Sequence, residues 1–311
     1  GIRQGSPDQA LATVPTSLQR QGDFSQTFDR LGRLDTIYDY TTTRQNPAAP
    51  GTLIRDPFPG NRIPNGRIHP ISAKVVPFWG EPNRPGEGAA LVNNYFRVGK
   101  AITKQDSWFG RIDHIINDKH RLYGRYGGRE QKNTTQVALN PAFPSRTLSS
   151  NPANSALISL TSTFSPNMIG EGRISYNRLQ FDSSPLSEGF DVASLGFSPA
   201  VTKNILFQQF PQISVQTYAQ GAGLAVTGAA PNEFDQLGGA TRSLAPQDTW
   251  HAQYHATLIR TRHKIKTGFE TQLIKLNVFN SQQSAGQYIF DRVYTQGPDP
   301  SVTALNSGNG F

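Results

Sequence analysis

The chain of 311 residues contains no cysteine, which excludes disulfides, thiolate metal sites and thiol catalysis. Its 29 glycines and 22 prolines both disfavour helix interiors, so the composition favours strands and turns. The net charge of +8 comes from scattered lysines and arginines, with one cluster between Arg260 and Lys266 and no nucleic-acid-binding motif, so we expect no nucleic-acid partner. No apolar run approaches the ~18 residues of a membrane-spanning helix. Strands of a β-barrel alternate in polarity, so a search for long apolar runs does not detect them.

The first segment, residues 1–104, is rich in proline and glycine. Between Arg55 and Pro64 the prolines remove backbone donors that a central strand needs. Apolar side chains nevertheless recur in this segment, which makes it too apolar for simple disorder: Phe24, Phe28, Ile37, Tyr38, Phe58, Phe78 and Trp79. We predict a long, ordered Pro/Gly-rich surface loop region that packs on another part of the protein.

From residue 105 to residue 294, apolar and polar residues alternate with the period of a β-strand. Trp108 and Ile112 precede the polar turn 117–120, and Leu122 and Tyr126 continue the alternation after it, which indicates a hairpin. Two further hairpins turn at 165–167 and 261–263. The predicted strands lie near residues 106–116, 121–131, 154–164, 168–181, 248–259, 264–278 and 286–294.

The connections between these strands are alternately short and long. Each hairpin turn takes a few residues, whereas the predicted loops 127–154 and 179–247 are long and rich in Gly, Pro, Ser and Asn. Compact soluble domains seldom contain such loops, but outer-membrane barrels have tight turns on one rim and long loops on the other. The sequence therefore predicts an all-β fold, a partial (open) transmembrane antiparallel up-and-down β-barrel with long extracellular loops. We expect it in the outer membrane of a Gram-negative-type bacterium, in contact with lipid and lipopolysaccharide.

A barrel strand presents one face to lipid and the other to the lumen. The apolar residues predicted to face lipid are Trp108, Ile112, Leu122, Tyr126, Ile158, Leu160, Ile174, Trp250, Tyr254 and Phe269. The polar residues predicted to face the lumen are Arg111, Asp113, Arg121, Arg125, Glu171, Arg173 and Gln253. Their mixed charges indicate a solvated interior in which the charges compensate one another. The functional alternative is contact with a plug or with a passing solute.

The sequence offers little support for catalysis. His251 and His255 have a spacing that suits zinc on a helix, but on a strand they stand roughly 13 Å apart, and no neighbouring glutamate completes a zincin-type motif. A Gly-x-Ser-x-Gly nucleophile elbow is also missing. We therefore expect no metal, no cofactor and no enzymatic activity.

Four segments stand out in chain order: residues 14–25 (VPTSLQRQGDFS), 55–64 (RDPFPGNRIP), 111–126 (RIDH followed by DKHRLYGRY) and 296–311 (QGPDP followed by GNGF). Together they resemble segments of the Oar-like, TonB-dependent receptors that are common in Acidobacteria and their relatives. The resemblance implies a large barrel preceded by a plug and a carboxypeptidase-regulatory-like domain. It also implies transport of a bulky solute, with the TonB complex as a partner through the plug and N-terminal regions.

None of those preceding parts is recognisable between Gly1 and Phe311, and residues 295–311 are predicted to be a truncated loop. We therefore expect an internal section of the barrel wall. Two rival interpretations remain. A soluble or surface-attached β-sandwich, acting as an adhesin or carbohydrate-binding module, would show the same alternation because a protein core selects the same residues as lipid. A passive porin would form a barrel without a plug.

Overall fold

Long antiparallel strands dominate the structure, a computed structural model that describes residues 1–137, 147–216, 234–302 and 306–311. Parts of three predicted loops, residues 138–146, 217–233 and 303–305, lie outside the described residues. The strands are β1 Ile2–Ala12, β2 Tyr38–Gln45, β3 Leu53–Pro57, β4 Tyr95–Asn117, β5 His120–Val137, β6 Thr147–Ser150, β7 Ala153–Ser165, β8 Met168–Pro185, β9 Gln212–Val215, β10 Arg242–Arg260, β11 His263–Leu276, β12 Phe279–Ser281 and β13 Gln287–Phe290. Two short helices are α1 Pro70–Val75 and α2 Pro199–Thr202. Within the described residues, no helix is long and apolar enough to cross a membrane.

The main sheet follows the order of the chain. β1 pairs with β4, β4 with β5, β8 with β10, and β10 with β11, all antiparallel. β6 and β7 together fill the position between β5 and β8, and β12 continues the edge that β11 begins on β10. Among the described residues β1 and β11 do not pair, so the sheet is open. The prediction of an all-β, open antiparallel barrel arc is confirmed.

The strands are longer than the sequence pattern predicted. β4 has 23 residues and β10 has 19. β5 extends to Val137 and β8 to Pro185, so the predicted loops 127–154 and 179–247 start too early. The sequence pattern ends early because Lys100, Lys104 and Asp106 lie on the same face of β4 as the apolar residues further along the strand. Backbone pairing continues there after the apolar alternation has ended.

The sequence also missed short strands and misplaced one. β1, β2 and β3 lie inside the region 1–104 that was predicted to be loop, and β6 and β9 lie inside the predicted loops 127–154 and 179–247. β1 pairs with residues 95–105 of β4. Its Pro7 is tolerated because β1 is an edge strand and needs fewer ladder hydrogen bonds. The predicted strand 286–294 is reduced to β13, which pairs in parallel with β9 outside the main sheet. The chain then turns, because the Asp291 carboxylate accepts a hydrogen bond from the backbone N–H of Val293 at 2.9 Å.

The two rims of the sheet differ in their connections. Three short turns, at 117–120, 165–168 and 260–263, lie side by side: Thr163 N donates to Lys119 O, and Ile259 N donates to Asn167 O, both at 2.8 Å. The described parts of the long connections lie at the opposite rim. Alternating connection lengths predict this arrangement.

On that second rim, the described residues of 13–94, 186–241 and 282–311 pack together, and we call them the loop body. Its larger core contains Val14, Trp79, Leu195, Phe210, Ile213, Val215, Phe234 and Leu237, and a smaller one contains Phe24, Ile37 and Phe58. Phe311 contacts both cores. Of the apolar residues that made region 1–104 look too apolar for disorder, Phe24, Ile37, Phe58 and Trp79 are thus buried in these cores, and Phe78 packs against the larger one.

Candidate lumen-facing site

The strand register assigns every paired residue to one of two faces, because residues directly opposite each other on neighbouring strands point to the same side. Ile112 is opposite Gly124, Gly124 is opposite Ile158, and Ile158 is opposite Ile174. We call this side the apolar face, and all ten residues predicted to face lipid lie on it. The other side is the polar face. It carries Arg111, Asp113, Arg121, Arg125, Glu171, Arg173 and Gln253.

A row of aromatic rings crosses the apolar face and marks one limit of an apolar band. Trp108 and Tyr126 pack with ring centroids 5.0 Å apart, and Tyr176 and Trp250 with centroids 4.6 Å apart. Beyond Tyr126, Tyr176 and Trp250, the next row toward the loop body contains Trp108 but is otherwise polar, as Asn154, Arg178, Asp248 and Lys275 stand in register there. Aromatic girdles occupy this position at the membrane–water boundary of outer-membrane barrels.

The apolar band extends from this row to the short turns. On β10 it runs from Trp250 to Leu258, which is close to the roughly 9–11 residues of a tilted strand that crosses the hydrocarbon core. Its side chains are exposed rather than packed under another sheet: Ile158 and Ile174 are each 60% exposed and Phe269 is 63% exposed. In a β-sandwich these residues would be covered, so the band argues against a soluble sandwich.

Two ion pairs organise the polar face. The Arg111 guanidinium contacts the Asp113 carboxylate at 2.6 Å and lies 4.2 Å from the centre of the Tyr123 ring. Arg173 contacts Glu171 at 2.6 Å, and the hydroxyl of the fully buried Ser159 donates to the same carboxylate at 3.1 Å. Each pair joins residues two apart on one strand, which fixes their side chains along the face.

Positive charge is nevertheless in excess here. Within the described part of the chain, neither Arg121 nor Arg125 forms an ion pair, and Arg125 stands directly opposite Arg111 across the β4–β5 ladder. Like charges in that relation destabilise a sheet. Four arginines therefore face two carboxylates in this part of the polar face, and the surplus would attract anionic groups.

The structure adds a contact between polar-face residues that sequence reasoning missed. The Nε2 atom of His251 lies 2.8 Å from the Glu270 carboxylate, and Gln253 stands in register between Arg173 and Glu270. Glu270 belongs to the polar face, but only the β10–β11 register reveals which residue it meets. His255 is opposite Glu171, yet the described residues contain no group of three or more metal-ligating side chains.

A concavity lies on the polar face. A pocket of about 630 Å³ opens there, and ten of its fourteen lining residues belong to that face, namely Phe109, Arg125, Gly127, Arg129, Ala153, Ser155, Asn177, Leu179, Gln247 and Thr249. The sheet thus curves around its polar side. In a barrel the concave side is the lumen.

Single cysteines offer a direct test of the facing, since the chain contains none of its own. We expect Ser175→Cys, on the polar face, to react with a membrane-impermeant maleimide when the full-length protein is reconstituted in lipid vesicles. The neighbouring Ile174→Cys should be protected, because successive side chains on a strand point to opposite faces. Mass spectrometry measures the labelled fraction. Faster labelling of Ile174→Cys would contradict the assignment of lipid and lumen.

The comparison with known families accounts for the whole chain. A family model described as an outer membrane β-barrel domain matches residues 1–311. No curated protein matches the chain, and neither does any solved structure. Long antiparallel strands joined by short turns on one rim, an exposed apolar band and an aromatic row are features of such barrels. The chain belongs to the outer membrane β-barrel domain family and is a protein of the outer membrane.

Proposed function

We propose that this chain forms barrel wall and surface loops of a TonB-dependent transporter for a bulky solute, and that it performs no catalysis. Its partners would be outer-membrane lipid and lipopolysaccharide at the apolar band, the solute at the loops and lumen, and TonB through a plug and N-terminal region. The observation that carries the proposal is the packing of three of the segments that resemble Oar-like receptors.

Those three segments, residues 14–25, 55–64 and 296–311, meet in the loop body. Asp23 forms an ion pair with Arg62 at 2.9 Å, Phe24 N donates to Asn61 O at 3.0 Å, and Ile63 N donates to Gly22 O at 2.8 Å. From the third segment, Pro298 O accepts a hydrogen bond from Arg55 N at 2.7 Å. Because the three resembling segments contact one another, they resemble the receptors as one structural unit. This supports a relationship to those receptors more strongly than four unconnected motifs would.

Asn61, in the segment 55–64, occupies a position that favours asparagine both for its backbone conformation and for its side-chain hydrogen bonds. It adopts a left-handed conformation with φ 58°, which Asn tolerates better than most residues. Its side-chain amide donates to Phe24 O at 2.7 Å and to Asp35 O at 2.9 Å, and its side-chain oxygen accepts from Ile37 N at 2.8 Å. One buried side chain thereby joins separate parts of the loop body.

The concave polar face with its surplus of arginines also fits transport, since a solute or a plug would contact that face. A passive porin would use a similar face, so the test must separate the two. We expect the full-length protein in proteoliposomes to exclude sucrose, because a plug would close the lumen. We also expect it to bind the purified periplasmic domain of TonB, measured by calorimetry.

Control vesicles contain a known open porin, which must admit sucrose in the same assay. Rapid sucrose entry without TonB binding would overturn the proposal in favour of a passive porin.

A further inference from the structure

A cavity of about 450 Å³ opens in the loop body beside α1 and the β9–β13 pair. This volume lies within the range of sites that bind small molecules, roughly 300–1,000 Å³. It lies in the loop body, apart from the polar face of the barrel. Apolar and aromatic side chains form most of its surface.

The cavity has a buried floor and an open mouth. Phe24, Val75, Trp79 and Val215, each at most 5% exposed, form the floor. His69 and Ser72 stand exposed at the mouth. The floor belongs to the two hydrophobic cores, so its shape is held by packing and is present before any ligand arrives.

Aromatic rings line the cavity in fixed orientations. Trp79 and Phe311 pack edge to face with centroids 5.7 Å apart, and Phe197 and Tyr288 pack with centroids 5.2 Å apart. Such rings offer both faces and edges to a further ring, and each aromatic pair contributes about 0.5–1.5 kcal/mol beyond area burial.

Both arginines that line the cavity are already neutralised. Arg20 donates to the carbonyl oxygens of Val76 and Gly80, at 3.2 and 2.6 Å, and lies 3.4 Å from the Glu81 carboxylate. Arg67 binds the Asp39 carboxylate with both of its terminal nitrogens. Hydrogen bonding from Arg67 lowers the pKa of Asp39 to about 2, so this pair stays ionised at neutral pH. Among the described residues, no aspartate or glutamate lines the cavity, so a charged ligand would lose its hydration without gaining an unpaired counter-charge.

A few polar groups remain available for orientation. Among the described residues, neither the Ser72 hydroxyl nor the Tyr288 hydroxyl has a hydrogen-bond partner. The His69 ring uses Nδ1 to accept from Ile71 N at 3.2 Å, which leaves Nε2 able to bond. A neutral ligand with one hydroxyl group would match this set of lining groups.

We propose that the loop-body cavity binds an uncharged, aromatic molecule of drug-like size or smaller on the outer side of the membrane. The binding itself follows from the cavity; that the bound molecule is the transported solute rests on the proposed function. Apolar walls supply the affinity, since burial of apolar surface contributes about 25 cal/mol per Å² before the costs of binding.

The test uses the full-length protein in lipid nanodiscs, with empty nanodiscs as the blank because apolar probes also enter lipid. The probe is 6-fluoro-2-naphthol, and 6-fluoro-2-naphthoate is its anionic counterpart of similar shape. Fluorine NMR of the ligand measures binding. We expect saturable binding of the naphthol above the blank, and affinity for the naphthoate lower by about tenfold or more, because the carboxylate must be desolvated without an unpaired cation.

Two neighbouring substitutions on α1 locate the site. Ser72→Trp places an indole at the mouth of the cavity, and we expect it to weaken naphthol binding by about tenfold or more because it competes for the same apolar space. Ala73→Trp adds the same indole at an exposed position that does not line the cavity, so affinity should stay within about twofold. Equal melting temperatures of both variants and the parent show that the loop body is intact.

The inference is overturned by an absence of saturable binding above empty nanodiscs, by equal or tighter binding of the naphthoate, or by equal losses in the two variants. Sucrose exclusion and TonB binding are measured on the same preparation. A protein that binds naphthol at this site but admits sucrose and ignores TonB would refute the proposed function alone. A protein that excludes sucrose and binds TonB but does not bind naphthol at this site would refute only the proposal that the cavity is a binding site.

Discussion

Replacing Asp35 by alanine should lower the free energy of unfolding of the loop body by about 3–5 kcal/mol, the usual cost of removing one partner of a buried ion pair. The Asp35 carboxylate lies 2.9 Å from Arg292 Nη1, and the two side chains are only 1% and 6% exposed. Without Asp35 the guanidinium would lose a counter-charge in a site largely shielded from water. The pair also joins residues 257 positions apart in sequence, so its loss should loosen the loop body as a whole.

Hydrogen–deuterium exchange of loop-body amides measures this effect, since protection there reports local opening free energies. Asp56→Ala is the matched control, because Asp56 pairs with Arg44 at 2.7 Å with both side chains about half exposed. An exposed pair contributes about 0–1 kcal/mol. The double variant Asp35→Leu/Arg292→Met should regain part of the lost stability, as it buries no unpaired charge. Equal effects of Asp35→Ala and Asp56→Ala would contradict the structure.

Ile174→Arg should destabilise the folded barrel by about 2–4 kcal/mol, the cost of an arginine near the midplane of the lipid-facing surface. Ile174 lies between Ile158 and Ala252 in the apolar band and is 60% exposed. Ser175→Arg introduces the same side chain one residue later on the polar face, opposite His251, whose ring contacts the Glu270 carboxylate. Its effect should stay below about 1 kcal/mol.

Reversible folding of the full-length protein into lipid vesicles, followed by denaturant titration, compares the two variants. Equal destabilisation by the two variants would mean that both faces of β8 meet the same environment, which would contradict the assignment of one face to lipid. A larger cost for Ser175→Arg would place lipid on the polar side.

Sequence alone was sufficient for the faces of the hairpins. Alternation is a local property of a strand, and the polar turns at 117–120 and 261–263 fix where each hairpin reverses. Residues such as Ile112 and Arg111 could therefore be assigned to opposite faces before any register was known. The same information predicted short turns on one rim and long loops on the other.

Sequence alone did not reveal the upper strands and the loop body. Above the aromatic row Lys100 and Lys104 share a face of β4 with the buried Ile102, so no apolar period marks how far such a strand continues. β9 and β13 have four residues each, too few for a periodic signal. The partners that stabilise the loop body, such as Asp35 with Arg292 or Asn94 with Val14, are separated by 257 and 80 residues. Only tertiary packing decides such pairs.

The length of β4 sets how the protein meets its surroundings. Thirteen of its residues, Tyr95 to Ser107, lie beyond the Trp108 position, which at about 3.3 Å per residue and a tilt near 40° lifts the far end about 30 Å above the bilayer edge. β1 pairs along most of this overhang and stiffens it. The extended part of the sheet therefore holds the loop body well outside the bilayer. An antibody, a phage or a neighbouring cell contacts the loop body before the lipid headgroups.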